Sequence, residues 1–244
     1  MLRAVTFDFW NTLFVDVHGR DREQRRAQLL ADELAALDMT VTDAALEDAL
    51  ESGFAFFDRV WVNEQRTPLC EEILDAILAA LGTTMPPEAH ARLVERFELL
   101  VLDIPPEPVP GAPAVLDALA QRYRLAVISD TGYSPGRVLR TVLERNAMLA
   151  PFEYLYFSDE HGACKPDPRV FRHTLDELGV RAPEAAHVGD IQRTDVAGAQ
   201  AAGMSAVHFI GANNHDAARS TGDLVVRHFE ELPAALGGLT CAGC

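Results

Sequence analysis

The hydrophobic pattern changes style along the chain. Short apolar runs bounded by turn residues lie at Leu2–Phe7, Leu125–Ser129, Tyr154–Phe157, His187–Val188 and Ala206–Ile210, with a weaker one at Leu224–Phe229. Such runs, rich in β-branched and aromatic residues, read as buried strands. From residue 112 onward they alternate with stretches of helical periodicity: Ala112–Arg122, Arg137–Arg145, Arg169–Leu178 and Asp195–Ala202. Strand alternating with helix predicts a parallel α/β sheet.

Residues 15–105 follow a different rule. Helical patterns occur there almost without a strand, at Arg22–Leu37, Asp43–Asn63, Leu69–Leu81 and Pro87–Asp103. In the first of these, Leu29, Leu30, Leu34 and Leu37 share one side and charges take the other. The stretch ends in Pro105-Pro106-Glu107-Pro108-Val109-Pro110-Gly111, which reads as a stiff proline linker. The predicted architecture is a Rossmann-like, doubly wound parallel sheet built from residues 1–14 and 106–244. An all-helical insert, residues 15–105, interrupts it.

An open parallel sheet binds ligands beyond the carboxyl ends of its strands. The first predicted strand ends at Asp8, the second at Ser129-Asp130-Thr131-Gly132, and the fourth at Gly189-Asp190 with Asp195 shortly after. The third is followed by SDEHGACKPDP, which carries Lys165. An Asp at a strand end is most often a turn or helix-cap residue. Here three carboxylates, a hydroxyl and a lysine converge on one sheet edge. That set suits phosphoryl transfer, which needs positioning and charge neutralisation. A hard cation takes carboxylate oxygens, which Asp8 and Asp190 supply. A carboxylate is also a competent nucleophile toward phosphorus.

Composition sharpens this picture. The formal net charge of −16 argues against nucleic acid and anionic membranes as partners. A small anionic substrate remains compatible with it, since a metal and one lysine reverse the sign locally. Of the 21 basic residues, Lys165 is the one lysine, so a compact ammonium is expected to be needed there. No apolar run is long enough to span a membrane and the N-terminus has no signal-peptide layout, so a cytoplasmic protein, monomer or homodimer, is expected. Cys70 and Cys164 read as reduced thiols, and the Cys241/Cys244 pair as a solvated tail.

On these residues the chain resembles the haloacid dehalogenase superfamily of hydrolases, and the resemblance covers nearly all of it. FDFWNTLF resembles the first motif, with Asp8 as nucleophile, and VISDTG the second, with Ser129 as a phosphate ligand. Lys165 in CKPDP fits the third motif, and HVGDIQRTDVAGAQAAGM, with Asp190 and Asp195, the fourth. The resemblance implies a Mg²⁺-dependent phosphatase acting on a small phosphorylated metabolite through an aspartyl-phosphate. Asp8, Asp190 and the Trp10 backbone carbonyl would hold the metal. Ser129, Asp130, Thr131, Lys165 and Trp10 would bind substrate. Asp195 would orient Lys165 or support the metal, and the insert would be the helical cap domain.

Two positions depart from the family pattern. Asp130 replaces the usual Asn of the second motif. Trp10 stands where the family's phosphatases carry the Asp that serves as general acid, a role whose loss costs about 10²–10⁴-fold. Three readings stay open. A phosphatase could act on leaving groups that need little protonation, or draw its proton from Asp16, His18 or Asp21. A metal-free 2-haloacid dehalogenase needs no acid and uses a cap arginine, with Arg20, Arg22, Arg25 and Arg26 all available. A non-catalytic binding protein would keep the fold alone. A phosphonatase is excluded, since it needs a cap lysine and the insert has none.

Overall fold

The computed structural model describes residues 1–239, so the Cys241/Cys244 pair lies outside the described residues. Along the chain, β1 (Ala4–Phe7) and β2 (Phe14–Val15) precede four helices: α1 (Gly19–Ala36), α2 (Asp43–Asn63), α3 (Cys70–Ala80) and α4 (Pro87–Asp103). Then follow β3 (Glu107–Pro108), α5 (Ala112–Ala120), β4 (Arg124–Ser129), α6 (Gly136–Arg145), β5 (Tyr154–Phe157), α7 (Ser158–His161) and α8 (Pro168–Glu177). The last elements are β6 (Ala185–Gly189), α9 (Ala197–Ala201), β7 (Ser205–Phe209), β8 (Leu224–Val226) and α10 (Leu232–Gly237).

These elements form two compact units. Of the described residues, the first comprises 1–17, 106–130 and 143–239, and the second 18–105 and 131–142. In the first, six strands form one sheet in the order β5-β4-β1-β6-β7-β8. Every neighbouring pair is parallel. The chain winds outward from β1 through β4 to β5, then returns to β6 on the other side of β1. That reversal is a topological switch point, where the strand ends leave a crevice.

β1 is central, and all four of its residues are buried, as befits a parallel strand covered on both faces. Beneath one face lies a core that includes Ala4, Ile128, Phe171, Leu175, Val196 and Ala206. Full burial of side chains of this kind stabilises by about 1.5–3 kcal/mol each for the larger ones. The sheet is therefore a firm base for groups at its carboxyl edge.

The proline-rich stretch is more than a linker. Glu107 and Pro108 form β3, which pairs antiparallel with β2 in the register Phe14↔Pro108 and Val15↔Glu107. Proline is tolerated there because a two-stranded ribbon is all edge and needs no donor on its outer side. Leu13 and Phe14 are fully buried.

The second unit is helical and has a core of its own. Leu29, Leu30 and Leu34 of α1 join Ile73, Leu74 and Ile77 of α3 and Leu93 and Phe97 of α4. Two of its helices start on recognisable signals: the Thr42 hydroxyl accepts from Ala45 N at 3.2 Å before α2, and Pro87 opens α4. Among the described residues no helix is long and apolar enough to cross a membrane. Cys70 and Cys164 are free and buried.

Candidate active site

Asp8 follows β1 directly, and its backbone N–H continues the ladder to β6 by donating to Val188 O at 2.9 Å. The carboxylate is thus placed by a fully buried strand of the sheet. Lys165 reaches it from the loop before α8, with Nζ donating to Asp8 Oδ1 at 2.5 Å and to Asp195 Oδ1 at 2.7 Å. The ammonium is 98% buried, at 2% exposure, so both ion pairs are shielded from water. Ser129 ends β4 fully buried, and the Asp130 carboxylate accepts from the backbone N–H of Lys165 at 3.0 Å. Asp130 thereby fixes the segment that carries the lysine, a task the amide of an Asn could share only through its carbonyl oxygen.

Asp195 sits in a π-type turn, Gln192–Val196, where the sequence pattern predicts a regular helix from Asp195. Val196 N reaches back to Ile191 O at 3.3 Å, and this widened turn aims Asp195 inward. Its carboxylate is saturated with donors. Lys165 and His187 Nε2 (3.2 Å) address Oδ1, and Ile191 N (2.9 Å) addresses Oδ2. Burial alone would raise its pKa, but Lys165 and His187 outweigh burial and hold it well below the usual carboxylate range.

Asp190 follows β6 and is also buried. Its Oδ2 accepts from Asn213 Nδ2 at 2.7 Å, and its backbone carbonyl accepts from His208 Nε2 at 2.9 Å. Ligand atoms of Asp8, Asp190 and Asp195 lie within 4.8 Å of one another. One ammonium cannot neutralise three such groups. Burial, with Asp195 next, pushes Asp190 up to about 7. Burial pushes Asp8 above its ordinary value too, because Asp195 and Asp190 add to it and Lys165 offsets only part. Lys165 itself is held above its ordinary value, since the two carboxylates overcome its burial. Asp195 is committed to its donors, so Asp8 and Asp190 are the pair that fits a hard cation.

Three supporting residues were not visible in the sequence pattern. His187 links Thr6 to Asp195: its Nδ1 lies 2.8 Å from Thr6 Oγ1. Burial lowers the His187 pKa, so the ring is neutral. Ionised Asp195 can only accept, so Nε2–H donates to it and Nδ1 accepts from the Thr6 hydroxyl. The third is Asn213. Of the remaining candidates, Trp10 is half-buried, edge-on to Phe9 at 5.0 Å and bridged to Phe14. Thr131 is buried and belongs to the helical unit. Asp16 is exposed, and His18 pairs with Asp21 at 3.0 Å.

Gly189 is required by close approach. A Cβ there would meet Asp195 Cγ at 2.3 Å and Cβ at 2.4 Å. Gly189→Ala is expected to displace Asp195 and cost about 1–3 kcal/mol by overpacking. A shift of the thermal midpoint together with a lower kcat checks this, and an unchanged midpoint would contradict it.

A parallel sheet that brings an acid after β1 and a Gly-Asp after β6 into one buried carboxylate cluster, with a lysine bound to two of its members, defines a class of hydrolase. The family model for haloacid dehalogenase-like hydrolases matches residues 2–203, and the chain belongs to that family. It is similar to phosphoglycolate phosphatase of Rhodospirillum rubrum, 31% identical over 97% of this chain and 90% of that one. It is also similar to glyceraldehyde 3-phosphate phosphatase of Methanothermobacter thermautotrophicus, 30% identical over 85% of each chain. Among solved structures, 2-haloacid dehalogenase from Pseudomonas syringae pv. Tomato shares the fold at a TM-score of 0.74 and 24% identity, over 97% of this chain and 99% of that one. So does the HAD phosphatase from Thermococcus onnurineus, at 0.67 and 24%, over the same shares.

Proposed function

We propose that the protein is a Mg²⁺-dependent phosphatase that hydrolyses a small phosphorylated metabolite through an aspartyl-phosphate on Asp8. The observation that carries this reading is the buried excess of carboxylate: Asp8, Asp190 and Asp195 cluster together, and the one ammonium pairs with Asp8 and Asp195 and leaves Asp190 without a cation among the described residues. A metal-free dehalogenase has no use for Asp190 in that cluster. The relatives named as phosphatases support the same reading.

In the first step Asp8 attacks phosphorus, the bond to the leaving oxygen breaks, and that oxygen takes a proton from water. In the second, water attacks phosphorus and gives up a proton to solvent, the bond from phosphorus to the Asp8 oxygen breaks, and inorganic phosphate is released. Lys165 neutralises Asp8 and the transferring group, while Asp195, held by His187, keeps the ammonium in place. Ser129 and the Asp130 amide hold phosphate oxygens. Mg²⁺, held by Asp8, Asp190 and the Trp10 carbonyl, would supply Lewis-acid neutralisation of the phosphoryl oxygens. The helical unit would serve as the cap domain.

Initial rates of phosphate release from phosphomonoesters and acyl phosphates, with and without Mg²⁺, test this reading. Activity that requires both the metal and Asp8 supports it. Release of halide from 2-haloacids, with no phosphate from any ester, would overturn it. Trp10 provides a second test. Trp10→Asp restores a carboxyl at the position of the missing acid and is expected to raise kcat for alkyl phosphates by about 10²-fold. Acyl phosphates, whose leaving group needs no proton, should be unaffected. Equal effects on both classes would remove general acid catalysis from the account of position 10.

A further inference from the structure

A second gathering of ligand-type side chains lies at β5, the strand at one edge of the sheet. Tyr154 and Tyr156 share one face of this strand, as alternate residues do. His161 ends α7 and His173 lies on α8, and both are exposed. The His161 ring stacks on buried Tyr156, with centroids 4.3 Å apart and planes at 14°. The His173 ring stands edge-on to Tyr154 and to Tyr156, at 5.8 Å from each. The two imidazole centroids are 4.9 Å apart. Tyr156 is itself fixed, since its hydroxyl donates to Ala163 O at 3.0 Å. Packing therefore orients both imidazoles, the condition for a pre-formed site.

Held this way, both rings bring Nε2 to one oxygen. The Tyr154 hydroxyl lies 2.8 Å from His173 Nε2 and 3.3 Å from His161 Nε2. A phenol can donate to one ring and accept from the other, so the metal-free cluster is satisfied. The same spacing also fits an ion. Donor atoms about 2.0–2.1 Å from a tetrahedral ion stand about 3.3 Å from one another, close to the two separations observed. Two imidazoles suit zinc and its neighbours in the first transition row. They do not suit Mg²⁺, which keeps oxygen ligands and water. The formal net charge of −16 favours a cation at this surface.

We infer that His161, His173 and the Tyr154 oxygen form a binding site for a divalent transition-metal ion of the zinc class, separate from the carboxylate cluster. The ion takes the Nε2 lone pairs of both imidazoles. The phenol gives its proton to solvent as its oxygen becomes the third ligand, and water fills the fourth position. Lys165 lies between the two histidines in the chain, so an ion there ties α7, α8 and β5 together around the loop that carries it. Nothing in this inference depends on phosphatase chemistry, because binding is read without turnover.

Zinc titration by calorimetry tests it, in the full chain carrying Asp190→Asn, Cys241→Ser and Cys244→Ser. Those three substitutions weaken the carboxylate cluster and the thiol pair as rival zinc sites. Zn²⁺ is expected to bind, to release a proton and to raise the thermal midpoint. His161→Gln and His173→Gln should each weaken binding by at least about tenfold, the loss that even an outer partner of a metal ligand brings. The double variant should bind little worse than either single one, because one remaining imidazole holds zinc poorly. Tyr154→Phe should also weaken binding about tenfold and should abolish the proton release. Zinc affinity unchanged in either histidine variant would overturn the inference, as would proton release unchanged in Tyr154→Phe. Both histidines are exposed, so their variants should melt close to the parent without metal. A fall as large as the rise that zinc brings would make the cluster a packing contact and not a metal site.

Discussion

Asp8→Asn is expected to lower phosphate release by about 10⁴-fold or more, as removal of a nucleophile does elsewhere. The same substitution should leave the ligand-free protein no less stable at neutral pH. Burial, reinforced by Asp195 and Asp190, raises the Asp8 pKa in the fold despite Lys165. A carboxyl whose folded pKa lies above its unfolded value, about 3.9, contributes stability below that value and loses it as pH rises through the folded one. At pH 7, with a chelator present, Asp8 is therefore a net cost, and asparagine removes it while Lys165 keeps Asp195. The midpoint of Asp8→Asn should exceed that of the parent chain at pH 7, and the two should converge toward pH 4. Melting curves across that range check both statements. A midpoint lowered at pH 7 would make the carboxylate a structural group, and the loss of activity would then say nothing about nucleophilic attack.

The residues that were legible in the sequence share a physical reason. Asp8, Ser129 and Gly189-Asp190 end strands, and strand ends are where an apolar run stops, so the pattern that predicts the sheet also marks its edge. Lys165 stood out by its chemistry, as the one lysine. The helical insert was legible for the opposite reason, the absence of strand-like runs. What was hidden sits inside the pattern. Thr6 and His187 interrupt strands β1 and β6 without ending them, and they pair across the two strands in register. Thr6 shares a face with Asp8, since alternate residues of a strand do. That parity was the available signal. The β2–β3 ribbon was concealed because prolines argue against strands in general and only weakly against edges. The π-type turn at Gln192–Val196 leaves no mark, because one extra residue in a turn does not change the apolar periodicity. Residues 131–142 are helical in style and adjacent in sequence to β4, yet their contacts place them with the helical unit. Proximity in sequence carries no information about that choice.

Lys165→Met is expected to damage both stability and catalysis, and the two losses can be separated. Breaking a buried ion pair by removing one partner costs about 3–5 kcal/mol, and here two carboxylates lose the same partner. For a chain of this size that lowers the midpoint by roughly 10 °C. The contribution of Asp195 to the pH dependence should change sign. In the parent chain Asp195 has a depressed pKa, so it contributes stability above its unfolded value of about 3.9 and loses it as pH falls through the folded one. Without the ammonium, burial dominates Asp195 as it does Asp8, and both carboxyls then oppose the fold as pH rises. The variant should be more stable at pH 5 than at pH 7. Phosphate release should fall by about 10³-fold, the scale of losing one fixed charge on the transferring group. Adding Asp195→Asn relieves one stranded carboxylate, so Lys165→Met/Asp195→Asn should melt above Lys165→Met alone. The double variant should recover none of the activity, because Asp195 acts on the reaction only through the lysine. A double variant that melts no higher would mean that Lys165 and Asp195 are not an energetic pair. Recovery of rate along with stability would mean that the lysine holds the fold and leaves the chemistry to other groups.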